Sequence, residues 1–250
     1  MSQTLAFLGD FGDAIEFIFE GRTSREGLDQ GGMQFLELTW EHIKLSVAAT
    51  AVACAAAIPL GLVLGHTGRG GFLAISISNV GRAVPSLALI AFFVAYLSVG
   101  FTNVMLALAL LAIPPILTNT YVGVRQVNPD TVDSARGMGM TGAEIVRKVE
   151  LPLALPLIFG GVKTSMVNVV ATATIAPLAG VQSLGDPIIN ASVYGDAGRL
   201  GAAIVVATLA VATELSLSGV QRAVTPRGLK LAARPVRFPI QLTRRARATP

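Results

Sequence analysis

The longest uncharged stretch of the chain sets the strongest limit on its fold. From Ala83 to Val124 the sequence runs for forty-two residues without an Asp, Glu, Lys or Arg. A membrane-spanning helix needs about 20 mostly apolar residues, so this stretch is long enough for two. The rest of the chain agrees, since 52% of its 250 residues are hydrophobic, 14% are charged, and the mean hydropathy is +0.65. These features predict an all-α, multi-pass protein of the cell membrane.

Polar and turn-forming residues divide the apolar regions into five predicted spans. Gly100 to Asn103 is predicted to form a tight turn between the second and third spans. Pro85 is predicted to bend or start the second span, and Pro114-Pro115 to interrupt the third. The five predicted ranges are 45–65, 87–99, 104–124, 158–177 and 200–220.

The distribution of Lys and Arg predicts the orientation of these spans. Residues 1–41 carry eight acids and two bases, whereas the chain from Arg222 onward carries eight bases and no acid. Short loops rich in Lys and Arg stay in the cytoplasm. We therefore expect the N-terminus outside, and the loop 125–151 and the basic tail 223–250 in the cytoplasm. Beside a span, such a tail is expected to contact anionic membrane lipid rather than nucleic acid.

Residues 1–41 are predicted to be an extracytoplasmic amphipathic segment preceding a permease-like membrane domain at 42–222. At 100° per residue, one face of a helix would carry Leu8, Phe11, Ile15, Ile18 and Phe19, and the opposite face Asp10, Asp13, Glu16 and Glu20. We expect an interfacial helix on the outer surface, and a frayed terminus is the alternative. A sixth span here is disfavoured, because each acid near the membrane centre costs about 2.5–3.5 kcal/mol.

The polar loop 125–151 carries signals for two short helices. Asn128 is a good N-cap and Pro129 suits the first helical position. Gly137 and Gly139 are expected to end this helix, and Thr141-Gly142-Ala143-Glu144 fits a capping box that opens a second one. Two short helices at right angles, projecting from a membrane domain, would form a docking element.

A family resemblance appears in the same loop. Asp133-Ser134-Ala135, then Gly139, then Val149 and Leu151-Pro152 resembles the EAA loop of ABC-importer permeases. That pattern is Glu-Ala-Ala, three residues, Gly, nine residues, Ile, one residue and Leu-Pro. The spacing matches at every step, and the departures are Asp for Glu, Ser for Ala and Val for Ile.

The resemblance implies a type I ABC-importer permease fold in which the first short helix seats in a groove of a separate ATPase subunit dimer. That dimer would bind ATP and Mg, so the chain would be non-catalytic and would hold no cofactor. The residues assigned to coupling are Pro129, Val132, Asp133, Ala135, Gly137, Met138, Gly139, Leu151 and Pro152. The run 137–142 also satisfies G-x-G-x-x-G, but it follows a predicted helix rather than a strand, so nucleotide binding is disfavoured.

Further motifs resemble the osmoprotectant permeases, which import glycine betaine, choline, carnitine and similar solutes. They are Thr39 to Ser46, Ile58 to Gly61, Arg82 to Ser86, Ile113 to Pro115, Ala135 to Met140 and Thr225 to Gly228. The outer-loop run 179–185 departs from the more glycine-rich sequence usual in that group. The resemblance implies an extracytoplasmic binding protein and a second permease subunit, the same or a different one. An importer of another small solute such as an amino acid, and a secondary transporter, are the alternatives.

Polar residues in the fourth span are candidates for the solute path. Thr164, Ser165, Asn168 and Thr172 form a stripe on one helical face, and hydrogen bonding between helices is the equal alternative. For Lys163 and Glu214 we favour a structural role, with Lys163 extending toward the interface and Glu214 pairing with Arg222, and gating is the alternative. Cys54 is expected to be an inert packing residue, and His42 and His66 are assigned to neither a metal site nor catalysis.

Overall fold

Helices form almost all of the described chain. The computed structural model describes residues 2–23, 29–69 and 71–225, so the predicted basic tail lies almost entirely outside them. The helices are α1 Ser2–Phe19, α2 Met33–Thr67, α3 Gly71–Ala83, α4 Ser86–Leu97, α5 Phe101–Arg125, α6 Pro129–Gly137, α7 Gly142–Ile145, α8 Leu151–Thr172, α9 Gly185–Ile189 and α10 Ala191–Val224. A π-turn, Val146–Glu150, joins α7 to α8, and a 3-10 turn, Ala173–Ala179, follows α8. Two antiparallel two-residue strands, β1 Arg22–Thr23 and β2 Asp29–Gln30, precede α2.

The described chain contains four or five candidate spans, in agreement with the prediction of about five. Four helical segments of the described chain are long and apolar enough to cross a membrane: α2, α5, the run Gly142–Ala179 and α10. A fifth span is present if residues 75–81 of α3 and the helix α4, which meet at 85°, are counted together as one broken span. Pro85 lies directly before α4 with an extended backbone, so it starts that helix as predicted.

Small residues allow α2 to pack closely against α5. Every fourth residue along the buried face of α2 is Ala or Gly, and a Cβ on Gly61 would lie only 2.7 Å from Thr120 Cβ. Hydrocarbon is as apolar as a leucine side chain, so membrane helices associate through close packing of this kind. The buried set is Ala49, Ala53, Ala57, Gly61 and Gly65.

The opposite side of α5 packs in the same way against α8. A Cβ on Gly161 would lie 2.8 Å from Asn119 Cβ and 2.9 Å from the Pro115 carbonyl oxygen. Ser165 is fully buried and donates a hydrogen bond to the Ala112 carbonyl at 2.8 Å. The three helices α2, α5 and α8 therefore form one meshed unit around the main core.

Two boundary predictions around α5 are wrong. The turn before α5 covers Ser98 to Gly100, both with positive φ, whereas Asn103 lies inside the helix and donates from Nδ2 to the Ser98 carbonyl at 2.8 Å. Pro114 and Pro115 do not interrupt α5, which continues through both of them. Neighbouring membrane helices satisfy the backbone groups that proline frees, which is why prolines are tolerated there.

The N-terminal segment is helical, and it packs against α10. Ala14 and Phe17 are buried where α1 crosses α10 at Gly198 and Gly201. Three residues of the predicted apolar face are exposed (Phe11, Ile15 and Phe19), and the Leu8 side chain lies outside the described residues. The boundary predicted at residue 41 falls inside α2, which begins at Met33.

The predicted outer loop 178–198 contains more structure than expected. It includes the end of the 3-10 turn, all of α9 and the start of α10, where Gly180 and Gly195 have positive φ. Asp186 holds this region together, since it accepts hydrogen bonds from Tyr194 Oη at 2.8 Å and from Asn190 Nδ2 at 2.5 Å.

Candidate functional site

The first helix of the predicted coupling loop, α6, forms as its local signals indicate. Asn128 caps it, since its Oδ1 accepts from the Asp130 amide at 2.8 Å, and Pro129 occupies the first position. Asp133 and Arg136 pair on the exposed surface at 3.0 Å. Asp130 in the first turn and Arg136 in the last turn both complement the helix dipole.

The end of α6 is a tight left-handed turn. Gly139 has a φ of +82°, a conformation that costs a glycine little. Its amide donates to the Arg136 carbonyl at 3.0 Å, and the Met140 amide donates to the Ala135 carbonyl at 3.2 Å. This pair of bonds is a Schellman motif, which satisfies the last carbonyls of the helix. It also reverses the chain toward α7.

The helix α7 opens with the predicted capping box. The Thr141 amide donates to Glu144 Oε2 at 3.0 Å, and the Glu144 amide donates to Thr141 Oγ1 at 3.4 Å. The Lys148 ammonium, at 2.9 Å, and the bonds from Thr141 lower the pKa of the Glu144 carboxyl to about 2. The second helix is not a separate short one, because α7 continues through the π-turn into α8.

The coupling residues divide into a buried support and an exposed tip. Ala135 is 2% exposed, and Leu151 and Pro152 are half-buried at the start of α8. Met138 is 72% exposed, so the loop presents a large apolar side chain at its surface. Val132 is half-buried, and the remaining predicted members (Pro129, Asp133, Gly137 and Gly139) are exposed. The structure thus divides the predicted set between the α6 segment, which is mostly exposed, and the half-buried start of α8.

A cleft of about 410 Å³ lies where α8 faces the broken span. It brings together three of the four polar residues predicted for the solute path, Thr164, Asn168 and Thr172. The other walls come from α3, α4, α5 and the segment joining α3 to α4: Gly81, Val84, Ser86, Leu111 and Pro115. Ser165 does not line this cleft, because its hydroxyl lies in the α5–α8 interface, which is the alternative that the sequence left open.

The ion pair inside the membrane domain differs from the predicted one. Lys163 Nζ lies 2.8 Å from Glu214 Oε1 and 3.4 Å from Ser218 Oγ, so α8 is tied to α10. The predicted partner of Glu214, Arg222, lies on the same helix as Glu214. Lys163 neutralises Glu214 from the neighbouring helix, which is a cheaper arrangement inside a bilayer than two separate charges.

One hydrogen-bonded side-chain pair near the coupling loop was missed by sequence reasoning. Glu150 is 4% exposed, and its carboxylate accepts from His66 Nδ1 at 2.8 Å. The two residues are separated by 84 positions, and the only local signal was an acid directly before Leu151-Pro152. Within residues 2–23, 29–69 and 71–225 there is no group of three or more His, Cys, Asp or Glu side chains suited to a metal ion.

Comparison with known proteins identifies relatives along most of the chain. Residues 57–229 match the family described as binding-protein-dependent transport system inner membrane component. The choline transport system permease protein OpuBB of Bacillus subtilis (strain 168) is 40% identical over 204 residues, covering 81% of this chain and 94% of the relative. The glycine betaine/carnitine/choline transport system permease protein OpuCB of the same organism is 38% identical over the same coverage.

A solved structure shares the fold. The MetNI methionine ABC transporter, in an inward-facing conformation, superposes with a TM-score of 0.68 at 22% identity, covering 77% of this chain and 96% of the matched chain. At that identity the likeness shows the fold alone, which is that of a type I ABC-importer permease. The chain is therefore a multi-pass inner-membrane protein that belongs to the family of binding-protein-dependent transport system inner membrane components.

Proposed function

We propose that the chain is the permease subunit of an ABC importer for compatible solutes such as choline, glycine betaine or carnitine. The observation that carries this proposal is the α6 element, whose cap, Schellman turn and exposed Met138 present a short helix to a partner. The substrate class rests on the named relatives at 38–40% identity. Solute would pass along the cleft beside Thr164, Asn168 and Thr172.

In this proposal a partner protein supplies the energy for transport. The helix α6 would bind in a groove on an ATPase dimer, and that dimer would bind ATP and Mg and hydrolyse the nucleotide. Met138 supplies an apolar anchor, because burying a methionine side chain contributes about 1.5–3 kcal/mol. Ala135 keeps the rear of the helix close to its own support.

Selection of the solute would rest mainly on an extracytoplasmic binding protein. A quaternary ammonium group is held best by several aromatic rings. This chain has one Trp and three Tyr, and Trp40 and Tyr96 are exposed on separate helices. The permease would then offer a passage of low affinity, completed by a second permease subunit across the open side of the cleft.

The orientation follows from the same scheme. The ATPase is cytoplasmic, so α6 faces the cytoplasm, and five spans place the N-terminus outside and the C-terminus inside. The excess of Lys and Arg on the α6 side and after α10 supports this arrangement.

Reconstitution tests the proposal directly. Proteoliposomes should contain the chain, its ATPase and its binding protein, and uptake of labelled choline should be measured with and without ATP. We expect uphill accumulation only with all components and ATP, and competition by glycine betaine or carnitine but not by methionine. Accumulation by the chain alone would overturn the proposed coupling, and competition by methionine would overturn the substrate class.

A further inference from the structure

A hydrogen bond between the half-buried His66 and the buried Glu150 joins the first span to the base of the coupling element. His66 lies in the last turn of α2, and Glu150 is the final residue of the π-turn that leads into α8. His66 Nδ1 lies 2.8 Å from Glu150 Oε2 and 3.0 Å from Oε1. A carboxylate only accepts hydrogen bonds, so Nδ1 carries the hydrogen in this pair.

The imidazole also reaches the second half of the coupling loop. A Cβ built on Gly142 would lie 3.2 Å from His66 Nε2, so the ring rests against the first residue of α7. One side chain of α2 thus contacts both ends of the segment 142–150. Among the hydrogen bonds of the described residues, this pair is the side-chain link between α2 and the loop from Pro129 to Glu150.

The π-turn determines where Glu150 points. The amide of Leu151 donates to the Val146 carbonyl five residues back, so the segment holds one more residue in its turn than an α-helix would. The first charged residues of this segment, Arg147 and Lys148, are exposed, while Glu150 is turned inward. Lys148 is engaged by Glu144 at 2.9 Å, which leaves His66 as the hydrogen-bond partner of the buried carboxylate.

We propose that His66 and Glu150 are positioning residues that pass movement of the coupling element to α2, and this inference rests on the proposed function. A displacement of α6 and α7 reaches α8 through the continuous helix. It reaches the cytoplasmic end of α2 through this pair, so the meshed unit is displaced at α2 as well as at α8. Without the pair, the segment 142–150 could shift against the end of α2, and part of its movement would be lost before it reached the meshed unit.

The test measures solute transported per ATP hydrolysed in the reconstituted complex. We expect His66→Ala and Glu150→Ala to lower this ratio about fivefold or more, the lower end of typical coupling energies, while ATP hydrolysis continues. The double variant should be no worse than either single one, because the two residues act as a unit. Gln221→Ala is the matched control: it removes another link between helices, from Gln221 Nε2 to the Pro156 carbonyl, and should leave the ratio unchanged.

A second variant and a second measurement guard against a folding defect. His66→Ala with Glu150→Gln leaves no buried carboxylate without a partner and should lower the ratio in the same way. Spin labels at Val63→Cys and Thr131→Cys, in a Cys54→Ala background, report the distance between α2 and α6. When His66 and Glu150 are both present, the distance between the labels should stay constant on ATP binding. In the pair variants, ATP binding should change that distance.

The outcomes separate the two proposals. A wild-type complex with no ATP-driven uptake would refute the proposed function and this inference with it. A working wild-type complex whose pair variants keep the normal ratio, or whose label distances respond to ATP as in the wild type, would refute the inference alone.

Discussion

Two adjacent glycines of α8 offer a direct measurement of how tightly the membrane helices mesh. A Cβ on Gly161 would lie 2.8 Å from Asn119 Cβ, 2.9 Å from the Pro115 carbonyl oxygen and 3.2 Å from Ile116 Cα. A Cβ on Gly160 would have no atom within 4 Å. Gly160→Ala and Gly161→Ala are therefore the same chemical change on neighbouring positions of one helix, with and without a clash.

The clash can be separated from the helix propensity. Replacing a glycine by alanine inside a helix stabilises the folded state by about 0.5–1 kcal/mol, and both variants share this gain. Overpacking costs about 1–3 kcal/mol, and two of the three close atoms belong to the backbone of α5, which cannot rotate away. We expect Gly161→Ala to be less stable than Gly160→Ala by that amount.

Unfolding of the purified chain in mixed detergent micelles, followed by circular dichroism, would check this difference. With about 2–4 °C for each kcal/mol in a chain of this length, the two midpoints should differ by about 2–12 °C. Equal midpoints would show that α5 and α8 separate freely, and the meshed unit would have to be abandoned.

Three further predictions concern the loop and the cleft. Gly139→Arg should insert normally but lose uptake, whereas Gly139→Asn should keep more of it, because asparagine tolerates the left-handed turn; uptake at equal protein level decides, and normal transport by the arginine variant contradicts the assignment. Asn168→Ala should lower uptake about two- to tenfold, as expected for the loss of one hydrogen bond to the solute. The control is Thr208→Ala, on the exposed side of α10. An unchanged rate and apparent affinity of uptake would show that Asn168 does not line the path. Glu144 should titrate near a pKa of about 2 rather than at its ordinary 4.5, so its cap persists below pH 4.5 and is lost as the pH falls through about 2; carbon NMR of the carboxyl checks this, with a midpoint near 4.5 as the contrary result.

The sequence predicted features that depend on neighbouring residues. The capping of α6 by Asn128, the turn at Gly139 and the capping box at Thr141 are local hydrogen-bond patterns, and all three are present. The membrane spans could also be predicted from the sequence, because the hydrocarbon core excludes charged residues along the whole length of a helix. Only their ends shifted, as for α2, which begins at Met33.

Features that depend on the packing of distant helices were not predicted. Ala14 and Phe17 of α1 are buried because α1 packs at Gly198 and Gly201 of α10, a contact between segments far apart in the sequence. Glu214 pairs with Lys163 and His66 with Glu150 because the chain brings separate helices together, and single-sequence periodicity holds no information about either meeting. Ser165 faces α5 for the same reason.

The left-handed glycines lie where the meshed helices end. Gly68 directly follows α2, Gly100 directly precedes α5, and Gly180 follows the 3-10 turn after α8. Helices that are packed this closely cannot slide past one another, so the meshed unit has to rotate as a rigid body. The backbone then bends at these glycines. We expect these three glycine hinges to set the rate at which the cleft opens toward either side of the membrane. The packing inside the meshed unit would stay the same.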